Sequence, residues 1–281
     1  MIGLELVLVS AVAATVIAPA WIRRPGSLTA TNHRGETLPV VIGLAVLASA
    51  AASVTIVALE RAARSDRIVI SGRMVAVAAA VAVVFAAGLA DDLAEDGPRG
   101  LRGHLRAARA GLLTTGMAKV AAALVGAIVV AVAIPNHPAD ERVAGVILMA
   151  ASANLWNGLD VAPGRAAKAF LLAGAGVLVA GPAWAVAVPL LALYGAAIPA
   201  GWLDLREHGM LGDSGANAIG FALGAGLYTV LPGWGTGVAA TLAVGLNVVA
   251  ETTTLSRVID AVPPLRWVDR MGRVKNSVGK G

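Results

Sequence analysis

Long apolar runs alternate with short polar segments along this chain of 281 residues. Nine runs reach or approach the length of about 20 residues that a helix needs to cross a bilayer. They cover residues 2–22, 40–59, 74–90, 112–134, 143–155, 166–180, 184–201, 216–231 and 235–259. Glycine and proline, which interrupt helices, stand between most of them. The pattern predicts an all-α fold, a polytopic transmembrane helical bundle with about nine spans.

The composition supports a membrane protein. Hydrophobic residues make up 58% of the chain and charged residues 14%, whereas soluble domains carry about a quarter charged residues. The 33 glycines suit close helix packing in lipid. Cysteine is absent, so disulfides and thiolate metal sites are excluded. No basic run is interleaved with aromatic residues, which argues against nucleic acid as a partner.

The distribution of positive charge predicts the orientation. Nine spans place alternate loops on opposite sides, and one set of loops carries 16 of the 22 lysine and arginine residues. These loops are 23–39, 91–111, 157–168, 202–215 and 256–281. The positive-inside rule puts them in the cytoplasm, with the N-terminus outside and the C-terminus inside. We therefore expect an inner (plasma) membrane protein with one domain, 1–269, and a flexible basic tail, 270–281.

Three polar clusters with acidic residues stand at the ends of apolar runs. The first is Asp91 and Asp92, the second extends from residue 154 to Asp160, and the third contains Asp213. Acidic groups near hydrocarbon are costly, and those that occur are usually functional. All three clusters fall on the predicted cytoplasmic side, so they can form one site. Carboxylates with phosphate oxygens and water are ligands that Mg²⁺ prefers.

Each cluster also allows a simpler interpretation. Asp91 and Asp92 point about 100° apart on a helix, so one can bind metal and the other substrate, or both are solvated. Asn154, Asn157 and Asp160 are three residues apart and share a helix face, which suits either a ligand or a polar helix end. Asp213 precedes an apolar run and is either a metal ligand or an N-cap.

Three further polar residues lie on or beside the apolar runs. Lys119 either snorkels to the interface or points inward to a phosphate or to Asp91 and Asp92. Arg165 begins the sixth run, where positive-inside topology and a bound anion explain it equally well. Asn247 lies within the ninth run, and we expect it to form a hydrogen bond between helices.

The motif order resembles that of a known family. Thr-Asn-His-Arg-Gly at 31–35 with Pro39, Gly-Leu-Ala-Asp-Asp at 88–92, residues 154–160, and Leu-Gly-Asp-Ser-Gly at 211–215 cover most of the chain. Together they are similar to the motifs of the polyprenyl-phosphate N-acetylhexosamine-1-phosphate transferase superfamily. This group includes phospho-N-acetylmuramoyl-pentapeptide transferase.

The resemblance implies a membrane enzyme of cell-wall and peptidoglycan-type glycan synthesis. Such an enzyme moves a phospho-amino-sugar from a UDP-sugar to a polyprenyl phosphate and releases UMP, with Mg²⁺, or Mn²⁺ as an alternative. The implied catalytic residues are Asp91, Asp92 and Lys119, and the implied metal ligands are Asp213 and Asp92. The expected substrate-binding residues are Asn32, Asn154, Asn157, Asp160 and Arg165. Members of the family often dimerise, and the glycine-rich and alanine-rich spans permit a homodimer.

The chain also departs from the family pattern. Position 157 is Asn where many members have Asp, and the segment 256–281 has no histidine where many members have a His-rich loop and a tenth span. These departures motivate an alternative function, a non-catalytic lipid-carrier-binding or scaffold relative in envelope assembly. A transporter would need inverted repeats or paired broken helices, and the sequence shows neither.

Overall fold

The computed structural model describes residues 2–24, 28–31, 35, 37–64, 70–94, 103, 106–107, 109–135 and 137–274. The elements in these residues are nine long helices, two short helices and one hairpin. The long helices are α1 (Ile2–Ile22), α2 (Ile42–Ala63), α3 (Gly72–Asp92), α4 (Thr115–Ala133), α5 (Ala139–Leu159), α6 (Arg165–Ala180), α7 (Trp184–Leu205), α8 (Gly212–Val230) and α9 (Gly233–Thr252). The short elements are β1 (Thr29–Thr31), β2 (Thr37–Pro39), α10 (Leu255–Ala261) and α11 (Pro263–Arg270).

The nine long helices follow the nine predicted apolar runs in the same order. Six of the described helices are long and apolar enough to cross a membrane, namely α1, α2, α3, α4, α7 and α9. The prediction of a helical membrane bundle is therefore confirmed. Of the other three, α5 has Asp140 and Glu141 in its first turn, α6 has only 16 residues, and α8 lies inside the bundle. The count of nine spans and the orientation remain predictions.

Helix α8 is the centre of the bundle. Fifteen of its 19 residues are buried, and it packs against α2, α3, α5, α6 and α7. Glycines bring α5 close: a Cβ on Gly220 would lie 2.6 Å from the Trp156 Cβ, and one on Gly224 would lie 2.9 Å from the Met149 Cα. Because α8 faces protein and little lipid, small residues serve it better than long apolar side chains.

A short hairpin is a feature that the apolar pattern did not predict. Strands β1 and β2 pair antiparallel, with Thr29 opposite Pro39. After β2, the chain makes backbone hydrogen bonds with the segment before α8. The Met210 N–H donates to the Pro39 oxygen at 2.8 Å, and the Gly43 N–H donates to the Leu211 oxygen at 3.1 Å. Strands of three residues are too short to show an alternating pattern in the sequence.

The ninth apolar run is interrupted. The prediction of one helix over 235–259 is wrong at the C-terminal end. Helix α9 stops at Thr252, and Thr253 is extended, with φ −143°. Three successive threonines, 252–254, stand at the break, and β-branched side chains favour extended backbone over helix. Helices α10 and α11 then follow as a separate C-terminal segment.

Candidate functional site

The candidate site is built around the first turn of α8, in the sequence Gly-Asp-Ser-Gly at 212–215. Gly212 has φ +74°, in the left-handed region that favours glycine. A Cβ on Gly88 would lie 2.6 Å from the Ser214 Cα, and one on Gly215 would lie 2.6 Å from the Gly43 Cα. Helices α2 and α3 therefore meet the start of α8 at backbone distance, which side chains larger than hydrogen would prevent.

Two carboxylates from other helices cap the N-terminus of α8. Asp92 accepts hydrogen bonds from the Asp213 N–H at 2.8 Å and the Ser214 N–H at 2.9 Å. Asp160 accepts the Gly212 N–H at 2.9 Å. The first N–H groups of a helix have no partner within the helix, and negative charge there also interacts favourably with the helix dipole. Asp92 of the first cluster and Asp160 of the second cluster thus hold the backbone of the third cluster.

Lys119 joins the first and third clusters. Its ammonium donates to the carboxylates of Asp91 and Asp213, at 2.5 Å in the case of Asp213. Of the alternatives left open by the sequence, the structure shows Lys119 pointing inward to acids. The Asp91 and Asp213 side chains keep 23% and 32% of their exposure, so this ion-pair cluster reaches the surface.

A fourth acid, Asp204, belongs to the same end of the bundle. It lies in the last turn of α7, is buried, and accepts the Gly164 N–H at 3.1 Å. Burial, together with the nearby charge of Asp204, raises the pKa of Asp160 well above its ordinary value, although the Gly212 N–H opposes this shift. Both acids line a cavity of about 20 Å³, room for about one water molecule, with Glu207. The sequence pattern does not select Asp204, which lies three residues after the seventh apolar run and outside the three clusters.

The amides of the second cluster have separate positions. Asn154 donates to the Asn247 side-chain oxygen at 2.6 Å, and Asn247 donates to the Ala151 carbonyl at 2.9 Å. The predicted interhelical hydrogen bond of Asn247 is therefore present, and Asn154 is its partner. Asn157 lies between Asn154 and Asp160, about one helical turn from each, and is half-buried.

Arg165 lies against the C-terminal segment. Its Nε donates to Asp269 Oδ1 at 2.7 Å, its Nη2 to Asp269 Oδ2 at 3.2 Å, and its Nη1 to the Ser256 hydroxyl at 2.8 Å. Burial would raise the pKa of Asp269, but the hydrogen bonds and charge of Arg165, helped by Arg273, lower it overall. The contacts of Arg165 are thus with an acid and a hydroxyl of its own chain.

The structure therefore brings Asp91, Asp92, Lys119, Asp160 and Asp213 together. The described contacts of Asn154 and Arg165 are instead with α9 and with the C-terminal segment. Asn32, the remaining predicted site residue, lies outside the described residues.

A divalent metal fits one part of this arrangement. Within the described ranges, no group of three or more His, Asp or Glu side chains is arranged to hold a metal ion. Asp91 and Asp213 nevertheless both pair with one cation, the Lys119 ammonium. Mg²⁺ commonly uses one or two carboxylates and completes its shell with water and phosphate oxygens, which suits this pair. Asp92 suits the metal less well, because both its oxygens accept backbone N–H groups.

Fold and site together define a helical membrane protein with an acid–lysine cluster at the start of its central helix. No protein-family model matches the chain, and no curated protein matches it.

Proposed function

We propose that this chain transfers a phospho-amino-sugar from a UDP-sugar to a polyprenyl phosphate at the cytoplasmic face of the plasma membrane, releasing UMP for cell-envelope glycan synthesis. The observation that carries the proposal is the cluster of Asp91, Lys119 and Asp213 beside the capped N-terminus of α8. Such a cluster combines a phosphate-binding cation with carboxylates suited to Mg²⁺.

In the proposed reaction, an oxygen of the lipid phosphate attacks the sugar-linked phosphorus of the UDP-sugar. A new P–O–P bond forms, the bond to the UMP phosphate breaks, and the electron pair leaves with UMP. When bound, Mg²⁺ would neutralise negative charge on the diphosphate. Lys119 would contribute a second positive charge, exchanging its contacts with Asp91 and Asp213 for phosphate oxygens.

The other residues position this centre. Asp92 and Asp160 fix the first turn of α8, and so fix the backbone that carries Asp213. We propose that the Asn157 amide contacts the sugar nucleotide. Its neighbours Asn154 and Asp160 are already held by other hydrogen bonds. Arg165 is a positioning residue. Its pair with Asp269 anchors the start of α6, and the turn before Arg165 joins this start to Asp160.

Substitution of Asp213 by Asn tests the assignment. The Asp213→Asn variant keeps the side-chain size but loses the charge for Mg²⁺, so we expect UMP release to fall at least about a hundredfold, the scale of removing one electrostatic group from an active site. UMP would be measured in proteoliposomes supplied with undecaprenyl phosphate and UDP-sugars. The matched control is Asp140→Asn, an exposed acid at the start of α5, which should keep full activity. Full activity of Asp213→Asn would refute the metal assignment.

A non-catalytic lipid-carrier-binding or scaffold protein is the second candidate function. The observation that favours it is the pairing of Lys119 with two carboxylates, which would also serve as a purely structural ion-pair cluster. This candidate predicts saturable binding of polyprenyl phosphate, measured by thermal shift in detergent, without UMP release from any UDP-sugar.

A further inference from the structure

The C-terminal segment, residues 255–274, is anchored to the bundle by one side. The Arg165 guanidinium pairs with the buried Asp269 carboxylate of α11. Lys168 donates to the carbonyls of Val268 at 3.0 Å and Met271 at 3.2 Å, close to the end of α11. Carbonyls at a helix C-terminus lack helical partners, so this lysine both caps α11 and fixes its rotation.

The outward face of α11 combines aromatic, apolar and basic groups. At 100° per residue, Pro263, Arg266, Trp267 and Arg270 fall within one 100° arc of the helix. With Met271 they line an open groove of about 500 Å³. Trp267 is 68% exposed there, which is unusual for the largest aromatic side chain. An exposed tryptophan between two arginines is typical of a helix at a membrane surface.

The segment lies at the level where two helices leave the predicted membrane. It begins three residues after the end of α9 at Thr252. At its other end, a Cβ on Gly272 would lie 2.9 Å from the Leu205 side chain, at the end of α7. Trp202 in the last turn of α7 is 53% exposed and carries the Arg206 guanidinium 4.3 Å from its ring centroid. Tryptophan with arginine at a helix end marks the headgroup region.

The charge of the segment suits an anionic partner. Residues 255–274 contain four arginines and two aspartates. Of the aspartates, Asp269 is buried and pairs with both Arg165 and Arg273, and Asp260 pairs with Arg270 at the surface at 2.9 Å. Basic amphipathic segments next to a span are attracted to the anionic lipids of the cytoplasmic leaflet.

We propose that the outward face of α11 lies on an anionic phospholipid surface. Trp267 and Met271 sit among the headgroups, and Arg266 and Arg270 bind lipid phosphates through charge-assisted hydrogen bonds, Arg270 in exchange for its surface pair with Asp260. Asp269 on the same helix pairs with Arg165, which directly follows the turn that begins at Asp160. Asp160 in turn accepts the Gly212 N–H at the start of α8. Lipid contact at α11 therefore also restrains the candidate site. This inference does not depend on the transferase activity.

The absence of cysteine makes a single-label experiment possible. Met271→Cys places an environment-sensitive fluorophore beside Trp267 without removing an arginine. The labelled protein is inserted at one copy, and in parallel at two copies, per nanodisc of phosphatidylcholine, with or without phosphatidylglycerol. Quenching by brominated acyl chains and by aqueous iodide is measured. The matched control is Val248→Cys, 57% exposed on α9, which should be quenched equally in both discs.

We expect brominated lipid to quench the label at 271 more strongly in the discs with phosphatidylglycerol than in the discs of phosphatidylcholine alone. Adding Arg266→Gln and Arg270→Gln should shift the contact equilibrium toward water on the order of 25-fold, since each arginine near an anionic surface contributes about fivefold. An unchanged size-exclusion profile would show that this variant is folded. Two results overturn the proposal: quenching by aqueous iodide in both discs, or protection only in discs that hold two copies, which would mean that a second chain covers this face.

Discussion

Asp91 and Asp92 are neighbours in the chain, but their carboxylates have different partners. Asp91 faces the Lys119 ammonium, whereas Asp92 faces the backbone N–H groups of Asp213 and Ser214. This division follows from the angle of about 100° between successive helix residues. We therefore assign the proposed metal to Asp91 and Asp213, and we assign Asp92 to holding the first turn of α8.

The cap can be tested separately from catalysis. In Asp92→Ala, the N–H groups of Asp213 and Ser214 lose a charged acceptor, which should lower the free energy of unfolding by about 2 kcal/mol. Thermal unfolding in detergent would show this as a lower midpoint than in the control, Asp140→Ala. Equal midpoints for the two variants would contradict the capping role.

The sequence identified the acids of this site but not their partners. Apolar run ends selected Asp91, Asp92, Asp160 and Asp213, because charge is rare near hydrocarbon. The contacts of Arg165 could not be predicted, since Asp269 is 104 residues away and no local pattern joins them. Asp204, three residues after the seventh run, is as close to an apolar run as Asp213, but it belongs to none of the three clusters.

At the level of elements, glycine determines how closely α2 and α3 approach α8. Gly88 on α3 faces Ser214, and Gly43 on α2 faces Gly215, each at backbone distance. These contacts bring Asp92 within hydrogen-bond reach of the first turn of α8. The site therefore depends on helix packing as much as on its charged residues.

Gly88→Ala tests this dependence. The added Cβ would lie 2.6 Å from the Ser214 Cα and 2.7 Å from the Asp213 oxygen, both backbone atoms that cannot move away locally. We expect α3 to separate from α8, with a loss of stability of about 1–3 kcal/mol and a loss of UMP release.

The matched control for this variant is Gly176→Ala on α6, where no atom lies within 4 Å of the added Cβ. It should be neutral or stabilise the helix by up to about 1 kcal/mol, because alanine has the higher helix propensity. Stability measured by chemical unfolding in detergent should therefore move in opposite directions for the two variants. A stable, active Gly88→Ala protein would show that the close approach is not required.

Element boundaries were predicted where the signal was local. The apolar runs located nine helices in order, and proline and glycine marked the turns between them. The break at 252–254 was missed because apolar residues continue on both sides of the threonines. The hairpin was missed because its three-residue strands show no alternating pattern, and its contact with the segment before α8, from the Met210 N–H to the Pro39 oxygen, lies far along the chain.

At the scale of the whole molecule, exposed tryptophans stand near helix ends, where tryptophan is expected at the two membrane–water interfaces. Trp184 and Trp202 stand at opposite ends of α7 and are both partly exposed. Their separation of 18 residues corresponds to about 27 Å along a helix, close to the thickness of the hydrocarbon core, about 30 Å. Trp234 follows the end of α8, where the Thr229 hydroxyl accepts the Ala183 N–H beside Trp184, and Trp267 lies on α11, whose end contacts Leu205 near Trp202. This spacing supports a membrane-spanning α7 with the acid–lysine cluster at the Trp202 end.

The predicted orientation can be measured with cysteine labelling. Arg206→Cys, directly after α7, and Asp140→Cys, in the first turn of α5, place single thiols on opposite predicted sides. With a membrane-impermeant maleimide, Arg206→Cys should react only in inside-out vesicles and Asp140→Cys only in right-side-out vesicles. Reaction of both thiols in the same vesicles would contradict the span count between them.

The proposed activity is tested most directly by UMP release from the unaltered protein. Purified protein in liposomes with undecaprenyl phosphate would be supplied with a panel of UDP-amino sugars, with Mg²⁺ or with a chelator. We predict UMP release from at least one UDP-sugar in Mg²⁺, its loss on chelation, and its return when Mg²⁺ or Mn²⁺ is added back. No UMP release from any UDP-sugar in Mg²⁺, by protein that still binds polyprenyl phosphate, would contradict the transferase and leave the non-catalytic lipid-binding function.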